Sequence, residues 1–544
     1  RTPVVEVRWA SFRTSMSFMG GQMVRSKLVG VAVLAALIPM GSAPVAQFFG
    51  SGIAMAPHMR RAQAADPNAP VVTKSATRKF KISGVSKQNG GGEPSIAMGL
   101  GKWQYVSYPG GPGMAFYYSN NRGKTWKPGG IAEDSSGDTS VNIDSSGAVY
   151  ESNLRSVHGG SSLEGTVYKS LNHGKTWTGP GDAGDGTSTN NPAHVDREWT
   201  DAYIPPQSDT NHAQVYIGYH DFGPGLVWVN ASTDGGKTFG DPVNVITDPE
   251  AQSSSACNTI PGSLKVAQRG PKAGRVYMSW IAADAGSSGA TGCNYTQEDT
   301  FYRLWVAYSD DQGQTWTDVS VFDGGVTHDM GELFPDMTLD RRGNPYVGVQ
   351  DNLTNTPADP GEWDIYVFGS NHFGEEGSWN TKAPTTLGGG NPGDPYKVNV
   401  SKGTHYYATI AAGKPGKVDV AWIETDKIPG TTPAGKPEEP SGMDDAKWNV
   451  YMGQTRKLNV AKPKWKITKI TKTPIHQGDV CVLGIFCTTF EPTGASRNLL
   501  DFIDVAVDRK GYAHIAYTND LVAGGGIYVA RQVRGPSVTK RRHR

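Results

Sequence analysis

The hydrophobic and polar positions of the chain repeat a single pattern seven times. A short apolar segment breaks at Asp, Gly or Pro, and a second apolar or alternating segment follows. This pattern is typical of two neighbouring antiparallel strands whose inner member is heavily buried. The seven segments are "PSIAMGLGKWQYVSY", "TSVNIDSSGAVYESN", "AYIPPQSDTNHAQVYIGYHD", "SLKVAQRGPKAGRVYMSW", "PDMTLDRRGNPYVGVQD", "YATIAAGKPGKVDVAWIE" and "DVAVDRKGYAHIAYTND".

A third strand and a polar turn follow most of these pairs. The third strands include "MAFYYS", "GTVYKS", "LVWVNAS" and "RLWVAYS". Four turns share a serine, a glycine and a closing aromatic residue, and two further copies, "SNHFGEEGSW" (370–379) and "GQTRKLNVAKPKW" (453–465), are eroded. The four are "SNNRGKTW" (119–126), "SLNHGKTW" (170–177), "STDGGKTF" (232–239) and "SDDQGQTW" (309–316).

Strand, turn, strand, strand, polar turn and strand make one four-stranded sheet. Sheets repeating every roughly 40 to 75 residues, none able to bury both faces alone, indicate a β-propeller. The last unit ends at "GGGIYVARQV" without an outer strand, and "RKFKISGV" (78–85) precedes the first unit without a partner. Pairing these two would close the ring and leave no free edge. We therefore predict an all-β fold, a single propeller over residues 78–535 with seven blades, or six as the alternative.

The repeated turn resembles the Asp-box, or BNR repeat, of the sialidase superfamily of β-propellers. The resemblance implies a hairpin between the two outer strands, in which the Asp caps the backbone and the aromatic side chain packs between blades. Asn121 and Asn172 replace the Asp in two copies, and an amide can still cap. It also implies that the turns lie opposite the ligand pocket. Their charged residues are therefore predicted to be structural or solvated: Asp234, Asp311, Lys124, Lys175 and Lys237.

Composition supports the all-β prediction and limits the possible partners. The 544 residues include 69 Gly, 35 Pro, 14 Trp, 22 Tyr and 16 Phe, as expected for short strands joined by tight turns. Basic and acidic residues number 52 and 51, so the net charge of +1 gives no support for nucleic-acid binding. Residues 536–544 are predicted to be a solvated basic tail.

The N-terminal region predicts export. From Met23 onward, Arg25 and Lys27 precede an apolar run over 28–38 that is too short to span a bilayer. We interpret residues 1–64 as a misassigned start followed by a signal peptide, and 65–77 as a short linker. The protein is therefore expected to be secreted, to have no membrane span and to be a monomer.

Four cysteines fit an oxidising compartment. Their positions favour local bridges between Cys257 and Cys293 and between Cys481 and Cys487, among three possible connectivities. Neither pair has the C-x-x-C form and no histidines cluster with them, so we predict no cysteine or histidine metal site. Calcium binding by the Asp-rich loops near Asp340 or Asp508 stays open, although no complete EF-hand loop is present, and we expect no required cofactor.

The loops at the start of each inner strand and the end of each second strand should converge on the propeller axis and form the ligand site. Aligning the inner strands by their apolar cores places comparable residues at this mouth: Glu93, Asp138, Glu198, Pro261, Phe334, His405 and Phe502. The ends of the second strands add Asn153, Arg155, His220 and Asp221, and "HVDREWTD" adds Asp196, Arg197 and Trp199. The mouth is thus predicted to be a polar funnel with an aromatic wall.

These residue types point to a carbohydrate site. Acids on neighbouring blades can divide proton-donor and nucleophile or base roles, so we assign catalysis to Glu198, Asp138, Glu93 and Asp221. Arginines can grip a sugar carboxylate, and aromatic faces stack on sugar rings. The predicted partner is a glycan with acidic sugars, bound by Arg155, Arg197, Trp199, His220, Phe334, His405, Arg497 and Phe502.

The superfamily pattern is only partly present. The resemblance implies an F-R-I-P-like stretch before the first blade, whose arginine belongs to a triad holding sialic acid, together with a Tyr nucleophile, its Glu partner and a catalytic Asp. The corresponding stretch is "GEPSIAM", so Glu93 stands where that arginine is expected. Arg155, Arg197 and Arg497 could form a different triad. Two functions remain open: a sialidase-like glycoside hydrolase or lyase, and a non-catalytic propeller that binds glycan or protein.

Overall fold

The computed structural model divides the chain into two units, Arg1–Gln63 and Ala64–Arg544, and every described residue belongs to the second. The described residues are 71–72, 79–86, 91–110, 113–132, 136–157, 162–183, 195–221, 225–283, 301–325, 328–352, 362–379, 396–428, 443–460, 463–482, 484, 487 and 497–539. The predicted signal segment within 1–64 therefore lies outside them.

The described residues form seven sheets in chain order, preceded by β1 (Val71–Val72) and β2 (Lys79–Gly84). Blade 1 contains β3 (Ser95–Met98), β4 (Gln104–Gly110), β5 (Gly113–Ser119) and β6 (Lys127–Pro128). Blade 2 contains β7 (Ser136–Ile143), β8 (Val149–Val157), β9 (Ser162–Ser170) and β10 (Thr178–Ala183). Blade 3 contains β11 (Val195–Tyr203), β12 (Gln214–Asp221), β13 (Leu226–Ser232) and β14 (Val243–Asn244).

The remaining blades follow the same order. Blade 4 contains β15 (Asn258–Val266), β16 (Val276–Ala283), β17 (Arg303–Ser309) and β18 (Thr317–Asp323). Blade 5 contains β19 (Asp336–Leu339), β20 (Pro345–Asn352), β21 (Trp363–Gly369) and β22 (Tyr396–Lys397). Blade 6 contains β23 (Thr404–Ala412), β24 (Val418–Thr425), β25 (Lys447–Thr455) and β26 (Lys464–Lys469), and β27 (His476–Gln477) also pairs with β25. Blade 7 contains β28 (Asp504–Val507), β29 (Ala513–Thr518) and β30 (Ile527–Arg534).

The ring closes as the sequence predicted. Strand β2 pairs antiparallel with β30, with Phe80 opposite Gln532, and supplies the fourth strand of blade 7. The fold is therefore an all-β propeller of seven blades, which resolves the choice between six and seven. Strand β1, inside the segment predicted as a linker, pairs parallel with β26 at the outer edge of blade 6.

Helical structure among these residues includes one short α-helix and a 3-10 turn at Thr210–His212. Helix α1 (Pro249–Ser254) connects blades 3 and 4 and begins after Asp248, whose carboxylate accepts a hydrogen bond from the Glu250 N–H.

The hydrophobic core lies mainly between neighbouring blades. One cluster joins blades 2 and 3 through residues such as Leu154, Val167, Ile217 and Tyr219, and similar clusters join the other blades. Each blade therefore buries the faces that it could not bury alone. The largest fully buried side chains include Trp280, Trp422, Trp448 and Trp465.

Hydrogen bonds between adjacent inner strands connect all seven blades. A Ser, Thr or Asp side chain of one inner strand bonds to the next inner strand, most often to a backbone N–H. The bonds are Val141 N to Ser95 Oγ (3.2 Å), Thr200 N to Ser140 Oγ (3.1 Å), Val266 N to Asp201 Oδ2 (2.8 Å), Ser263 Oγ to Asp336 Oδ1 (2.5 Å), Ile410 N to Asp336 Oδ2 (2.8 Å), Val505 N to Thr409 Oγ1 (3.2 Å) and Ile96 N to Asp504 Oδ2 (2.7 Å). We call this set the inter-blade ring.

The Asp-box turns have the geometry that the resemblance implied. Asp234 Oδ1 accepts hydrogen bonds from the N–H groups of Lys237 and Thr238, at 3.0 Å each. Asn121 Oδ1 accepts the equivalent bonds from Lys124 and Thr125, also at 3.0 Å, and its Nδ2 donates to Thr125 Oγ1. The amide therefore caps as the carboxylate does. The eroded copy at 370–379 keeps part of the geometry, since Ser370 Oγ accepts from Gly374 N.

One predicted disulfide, Cys481–Cys487, is present, and Cys257 is also disulfide-bonded. Its predicted partner, Cys293, lies outside the described residues. Part of the predicted basic tail is ordered against the propeller, because Val538 N donates to Gly511 O and Lys414 N donates to Val538 O, both at 3.1 Å. In the part of the chain that the structure describes, no helix has the length and apolar character of a transmembrane span.

Candidate active site

The mouth of the propeller is shaped by β-bulges in the inner strands. The register of β7, β11, β15 and β23 shifts near the mouth, for example between Asp196 and Trp199 in β11 and between Tyr406 and Thr409 in β23. A bulge adds an unpaired residue and redirects the side chains beside it. Three residues at the mouth also have the left-handed backbone conformation that side chains disfavour: Glu93, Arg197 and Tyr407, with φ of 46°, 43° and 63°.

Arg197 lies at the centre of the site and is only 1% exposed. Its Nη1 is 3.4 Å from Glu93 Oε2 and 4.0 Å from Asp138 Oδ1, and its Nη2 donates to the Thr139 carbonyl at 3.3 Å. The two carboxylate oxygens therefore lie no more than about 7.4 Å apart, the sum of their distances to one nitrogen atom. Blades 1, 2 and 3 each contribute one member of this cluster.

Three aromatic side chains surround the same guanidinium. The Arg197 Cζ lies 4.2 Å from the ring centroid of Trp199, 4.4 Å from that of Phe502 and 5.6 Å from that of Phe334. The rings also contact one another, with centroids 5.4 to 6.0 Å apart. Such contacts hold a cation in place while excluding water. The three aromatic rings therefore form a wall, but their main contact is with Arg197 and not with open space. Of the three side chains, only Phe334 is more than 9% exposed.

Burial raises the pKa of several acids at the mouth. It raises the pKa of Asp196 to about 7 and that of Glu198 to about 8, and it holds the pKa of Glu93 well above its usual value. Neighbouring carboxylates such as Asp138 add to each rise, and Arg197 acts against it. Protonated and ionised carboxyl groups can therefore stand side by side near neutral pH. The sequence suggests repulsion between carboxylates as the cause of such a rise, but desolvation is the larger cause.

Glu198 lies in the interior and not at the surface of the funnel. It has no exposed surface, and neither of its carboxyl oxygens has a hydrogen-bond partner among the described residues. It is close enough to the equally buried Glu151 to raise the pKa of that residue, although burial is the larger cause. A glycan could not touch Glu198 in this arrangement. Asp138, in contrast, keeps 23% of its side chain exposed.

The three arginines predicted to hold a sugar carboxylate are already paired with acids of the protein. Arg497 Nη1 lies 2.6 Å from Asp501 Oδ1. Arg155 contacts Glu164 and also lies 3.2 Å from Asp182. A ligand carboxylate would therefore have to compete with these acids for each arginine.

Two residues of the site, Asp501 and Tyr407, are not among those predicted from the sequence. The Asp501 N–H donates to Glu93 Oε1 at 3.2 Å, and the Tyr407 hydroxyl donates to the Leu500 carbonyl. Burial raises the pKa of Tyr407 well above its usual value, and Asp501 adds to the rise, so the phenol is neutral at physiological pH. Tyr407 precedes Thr409 by two residues, as Glu93 precedes Ser95, but this equivalence follows from the inter-blade ring and not from the hydrophobic pattern.

The structure corrects the alignment of blade 6. The alignment of apolar cores places His405 at the mouth, but Tyr407 occupies that position, because the bulge in β23 shifts the register. His405 is fully buried and lies between blades 5 and 6, where its Nδ1 is 2.7 Å from the Trp363 carbonyl and its Nε2 is 3.5 Å from Glu424. Two other predicted site residues, His220 and Asp221, are 3% and 7% exposed, and burial lowers the pKa of His220 to about 4.

Below the mouth, the central channel contains a cavity of about 220 Å³. Its polar lining comes mainly from the inter-blade ring and includes Ser95, Ser140, Ser263, Asp336 and Asp504. Arg197 and its aromatic neighbours lie at the mouth, and Trp199 also lines the cavity. Among the described residues, no group of three or more His, Cys, Asp or Glu side chains is arranged to hold a metal ion.

Comparisons with known proteins agree with this fold. The model of the BNR/Asp-box repeat matches residues 117–128 and 307–318. No curated protein matches the sequence significantly.

Several solved structures resemble the propeller at low identity. An ulvan lyase of polysaccharide lyase family PL25 matches with a TM-score of 0.46 and 13% identity, covering 85% of this chain and 98% of its own. The α-L-arabinofuranosidase of Fusarium graminearum matches with a TM-score of 0.36 and 12% identity, covering 70% and 97%. The leech intramolecular trans-sialidase matches with a TM-score of 0.34 and 12% identity, covering 86% and 71%.

Similarity at this level does not transfer the chemistry of those proteins to this chain. The repeat match and the seven closed blades nevertheless agree with each other and with the turns read from the sequence. The chain is a seven-bladed β-propeller that carries BNR/Asp-box repeats.

Proposed function

We propose that this protein is a glycoside hydrolase that acts on a glycan at the channel mouth, with Glu93 and Asp138 as its catalytic carboxyl pair. The observation that carries the proposal is that both carboxylates lie within 4.0 Å of the same nitrogen atom of Arg197, so that their oxygens are at most about 7.4 Å apart. Carboxyl pairs about 5 to 10 Å apart serve glycoside hydrolysis with either stereochemical outcome.

The two carboxyl groups have the different environments that acid and base roles require. Glu93 is 3% exposed, and burial keeps its pKa well above the usual value, so it can hold a proton near neutral pH. Asp138 is the more exposed partner. In the proposed reaction Glu93 protonates the leaving oxygen, while Asp138 attacks the anomeric carbon or activates a water molecule.

Arg197 positions the pair without touching the sugar. Its guanidinium is fixed by Trp199, Phe502 and the Thr139 carbonyl, and it lies within 4.0 Å of both carboxyl groups. We assign Glu198, the residue that sequence reasoning favoured as the proton donor, a supporting role, because its carboxyl group is sealed inside the blade packing.

The ion pairs of the arginines bear on the nature of the sugar. An acidic sugar would have to compete with Glu164, Asp182 and Asp501 for the arginines of the mouth. The geometry therefore favours a glycan whose reacting unit is neutral over the acidic sugar expected from the sequence.

Secretion is also part of the proposal. The Cys481–Cys487 disulfide and the bonded Cys257 support an oxidising compartment.

A turnover assay over a panel of neutral and acidic glycans tests the proposal. On a responsive glycan, Glu93→Gln and Asp138→Asn should each lower kcat by about a hundredfold, because each removes one half of the acid–base pair. Glu376→Gln, an exposed substitution on the opposite face, should leave kcat unchanged. The configuration of the released sugar, read by NMR, assigns Asp138 as nucleophile or base. Glycan binding without turnover would replace the hydrolase with a binding propeller, and an unsaturated product would indicate a lyase.

A further inference from the structure

The face of the propeller opposite the mouth carries a concentration of positive charge. It is formed by the turns that connect the first and second strands of each blade and by the Asp-box turns, which contact each other, as in the bond from Arg122 N to Lys102 O. In blades 4 to 7, each of the connecting turns contains two basic residues besides the buried Arg275 of blade 4, which pairs with Asp310 and Glu375. We call these eight residues the basic arc: Arg269, Lys272, Arg341, Arg342, Lys414, Lys417, Arg509 and Lys510.

The four turns of the arc are in direct contact. Arg341 N donates to Gly413 O at 2.9 Å, which joins the turns of blades 5 and 6. The chain segment around Val538 joins the turns of blades 6 and 7 through its bonds with Lys414 and Gly511. The turn of blade 4 packs on that of blade 5, since a Cβ added at Gly270 would lie 2.4 Å from the Arg342 carbonyl. The basic side chains therefore belong to one continuous surface.

Most of this charge is not neutralised by the protein. Arg269, Arg341, Arg342, Arg509 and Lys510 are exposed and Lys414 is half-buried, and none of the six has an ion pair within 4.0 Å in the described structure. Lys272 differs, since it lies 3.5 Å from Asp310 and 3.6 Å from Glu375.

The other acids of these turns point inward. Asp340 Oδ1 accepts from Arg342 N at 2.7 Å, and Asp508 Oδ1 accepts from Lys510 N at 2.8 Å, so both carboxylates cap their own turns. In blades 5 and 7 the basic pair thus follows a carboxylate that is engaged by the backbone.

The remaining blades show that the fold itself does not require this charge. The equivalent turns of blades 2 and 3, "DSSGA" and "IPPQSDTNHA", contain no Lys or Arg, and that of blade 1 contains only Lys102. Other exposed basic residues on this half of the face lie on the Asp-box turns, at Arg122, Lys124, Lys175 and Lys237. The arc is therefore a property of half of one face, although the net charge of the chain is only +1.

We propose that the basic arc binds a linear anionic polysaccharide. Unpaired cations along adjacent turns attract a chain of carboxylates or sulfates, with counterion release as part of the driving force. A membrane fits less well, because none of the exposed large hydrophobic side chains lies in these four turns. Single-stranded nucleic acid fits less well, because the only aromatic residue of the turns, Tyr512, is half-buried and offers no stacking platform.

The arc and the mouth lie on opposite faces, so this inference does not depend on the proposed hydrolase. A polymer held by the arc would not occupy Glu93 and Asp138. The two proposals can fail separately.

Binding of the full chain to heparin, a sulfated probe, and to polygalacturonate, a carboxylated probe, tests the inference by titration at several salt concentrations. The variant Arg341→Ser/Arg342→Ser/Arg509→Ser/Lys510→Ser should weaken binding at low salt by about tenfold or more and reduce its salt dependence. The matched control Lys102→Ser/Lys124→Ser/Lys175→Ser/Lys237→Ser removes the same charge from the other half of the face and should change affinity much less.

Three outcomes would overturn the inference. Equal losses of polysaccharide affinity in the two variants would mean that binding depends only on the overall charge of the protein. If neither polysaccharide bound at low salt, the arc would not be a polysaccharide-binding site. Tighter binding to single-stranded DNA or to phosphatidylserine vesicles than to either polysaccharide would assign the arc to a different partner. Circular dichroism and glycan turnover should be unchanged in both variants.

Discussion

Individual carboxyl groups at the mouth are distinguished by how far each is removed from water. Glu93 and Glu198 are buried, whereas Asp138 and Asp196 are partly exposed. In a low-dielectric site the neutral acid is favoured, and one guanidinium cannot compensate every carboxylate around it. The assignment of Asp138 as nucleophile or base therefore follows its exposure, whereas Glu93 is assigned by its proximity to Asp138 and by the proton that burial lets it hold.

The buried Glu198 should make stability depend on pH. Its pKa of about 8 lies above the value near 4.5 expected in the unfolded chain, so its stabilising contribution is present below that lower value and is lost as the pH rises through about 8. A tenfold difference in proton affinity between the folded and unfolded chains corresponds to about 1.4 kcal/mol. Glu198→Gln imitates the neutral acid. Between pH 5 and pH 9, the melting temperature of this variant should therefore fall less than that of the parent protein, as measured by thermal denaturation.

The exposed Glu376→Gln serves as the control for this measurement and should follow the parent protein at every pH. If Glu198→Gln also followed the parent, the carboxyl group would not be desolvated as described.

At the scale of single elements, the Asp-box turn depends on one oxygen atom and not on a charge. In Asn121 and Asp234 the same Oδ1 accepts two backbone N–H groups. Asn121→Asp should therefore leave the melting temperature nearly unchanged, because a carboxylate can accept from Thr125 Oγ1 where the amide donates to it. Asn121→Ala removes the cap and should cost about 1 kcal/mol.

Asn120→Ala, at the exposed neighbouring position, provides the control for thermal denaturation of these two variants. A marked loss of stability in Asn121→Asp would show that the carboxylate and the amide do not serve the same turn.

The inter-blade ring predicts a larger effect at Asp336. Its carboxylate accepts from Ser263 Oγ, from Thr409 Oγ1 at 2.8 Å and from Ile410 N at 2.8 Å, and so links three blades. Asp336→Ala leaves these buried donors without a partner and should cost about 2 to 4 kcal/mol. Chemical denaturation should show this loss, whereas Asp323→Ala, whose side chain is half exposed, should cost less than about 1 kcal/mol.

The elements also show where sequence reasoning succeeds and where it stops. The blades could be predicted, because strand alternation and the repeated turn depend on local side-chain chemistry. The position of His405 could not be predicted, because the bulge in β23 shifts the register and the hydrophobic pattern does not show where the bulge lies. The same limit applies to Glu198, whose environment depends on Glu151 and Arg197 from other strands. Fold class was therefore readable from the sequence, whereas the orientation of side chains at the mouth was not.

At the scale of the whole molecule, the ring separates two surfaces with different charge. The mouth gathers carboxyl groups around Arg197, and the opposite face carries the basic arc over blades 4 to 7. Because rigid blades separate the two surfaces, the residues of one surface can change without altering the other. This arrangement is possible only while the ring stays closed.

Closure rests on one strand that is distant in sequence from its partner. Strand β2 pairs with β30 along its whole length, from Lys79 opposite Arg534 to Gly84 opposite Tyr528. It also supports the junction with blade 1, since Trp126 Nε1 donates to Ser83 Oγ at 3.2 Å. Without β2, the edge of β30 would expose unpaired backbone groups that can recruit another chain.

Two truncated proteins test this closure, one beginning at Lys79 and one beginning at Val85. Both lack β1, but only the second lacks β2. The protein beginning at Lys79 should remain monomeric by size-exclusion chromatography and keep a cooperative thermal transition. The protein beginning at Val85 should melt at a lower temperature and form oligomers or aggregates, because each blade of a ring is stabilised by both of its neighbours and blade 7 would lose its outer strand. If the two proteins melted alike and both stayed monomeric, the ring would be held by the inter-blade contacts alone, and the pairing of β2 with β30 would be dispensable for closure.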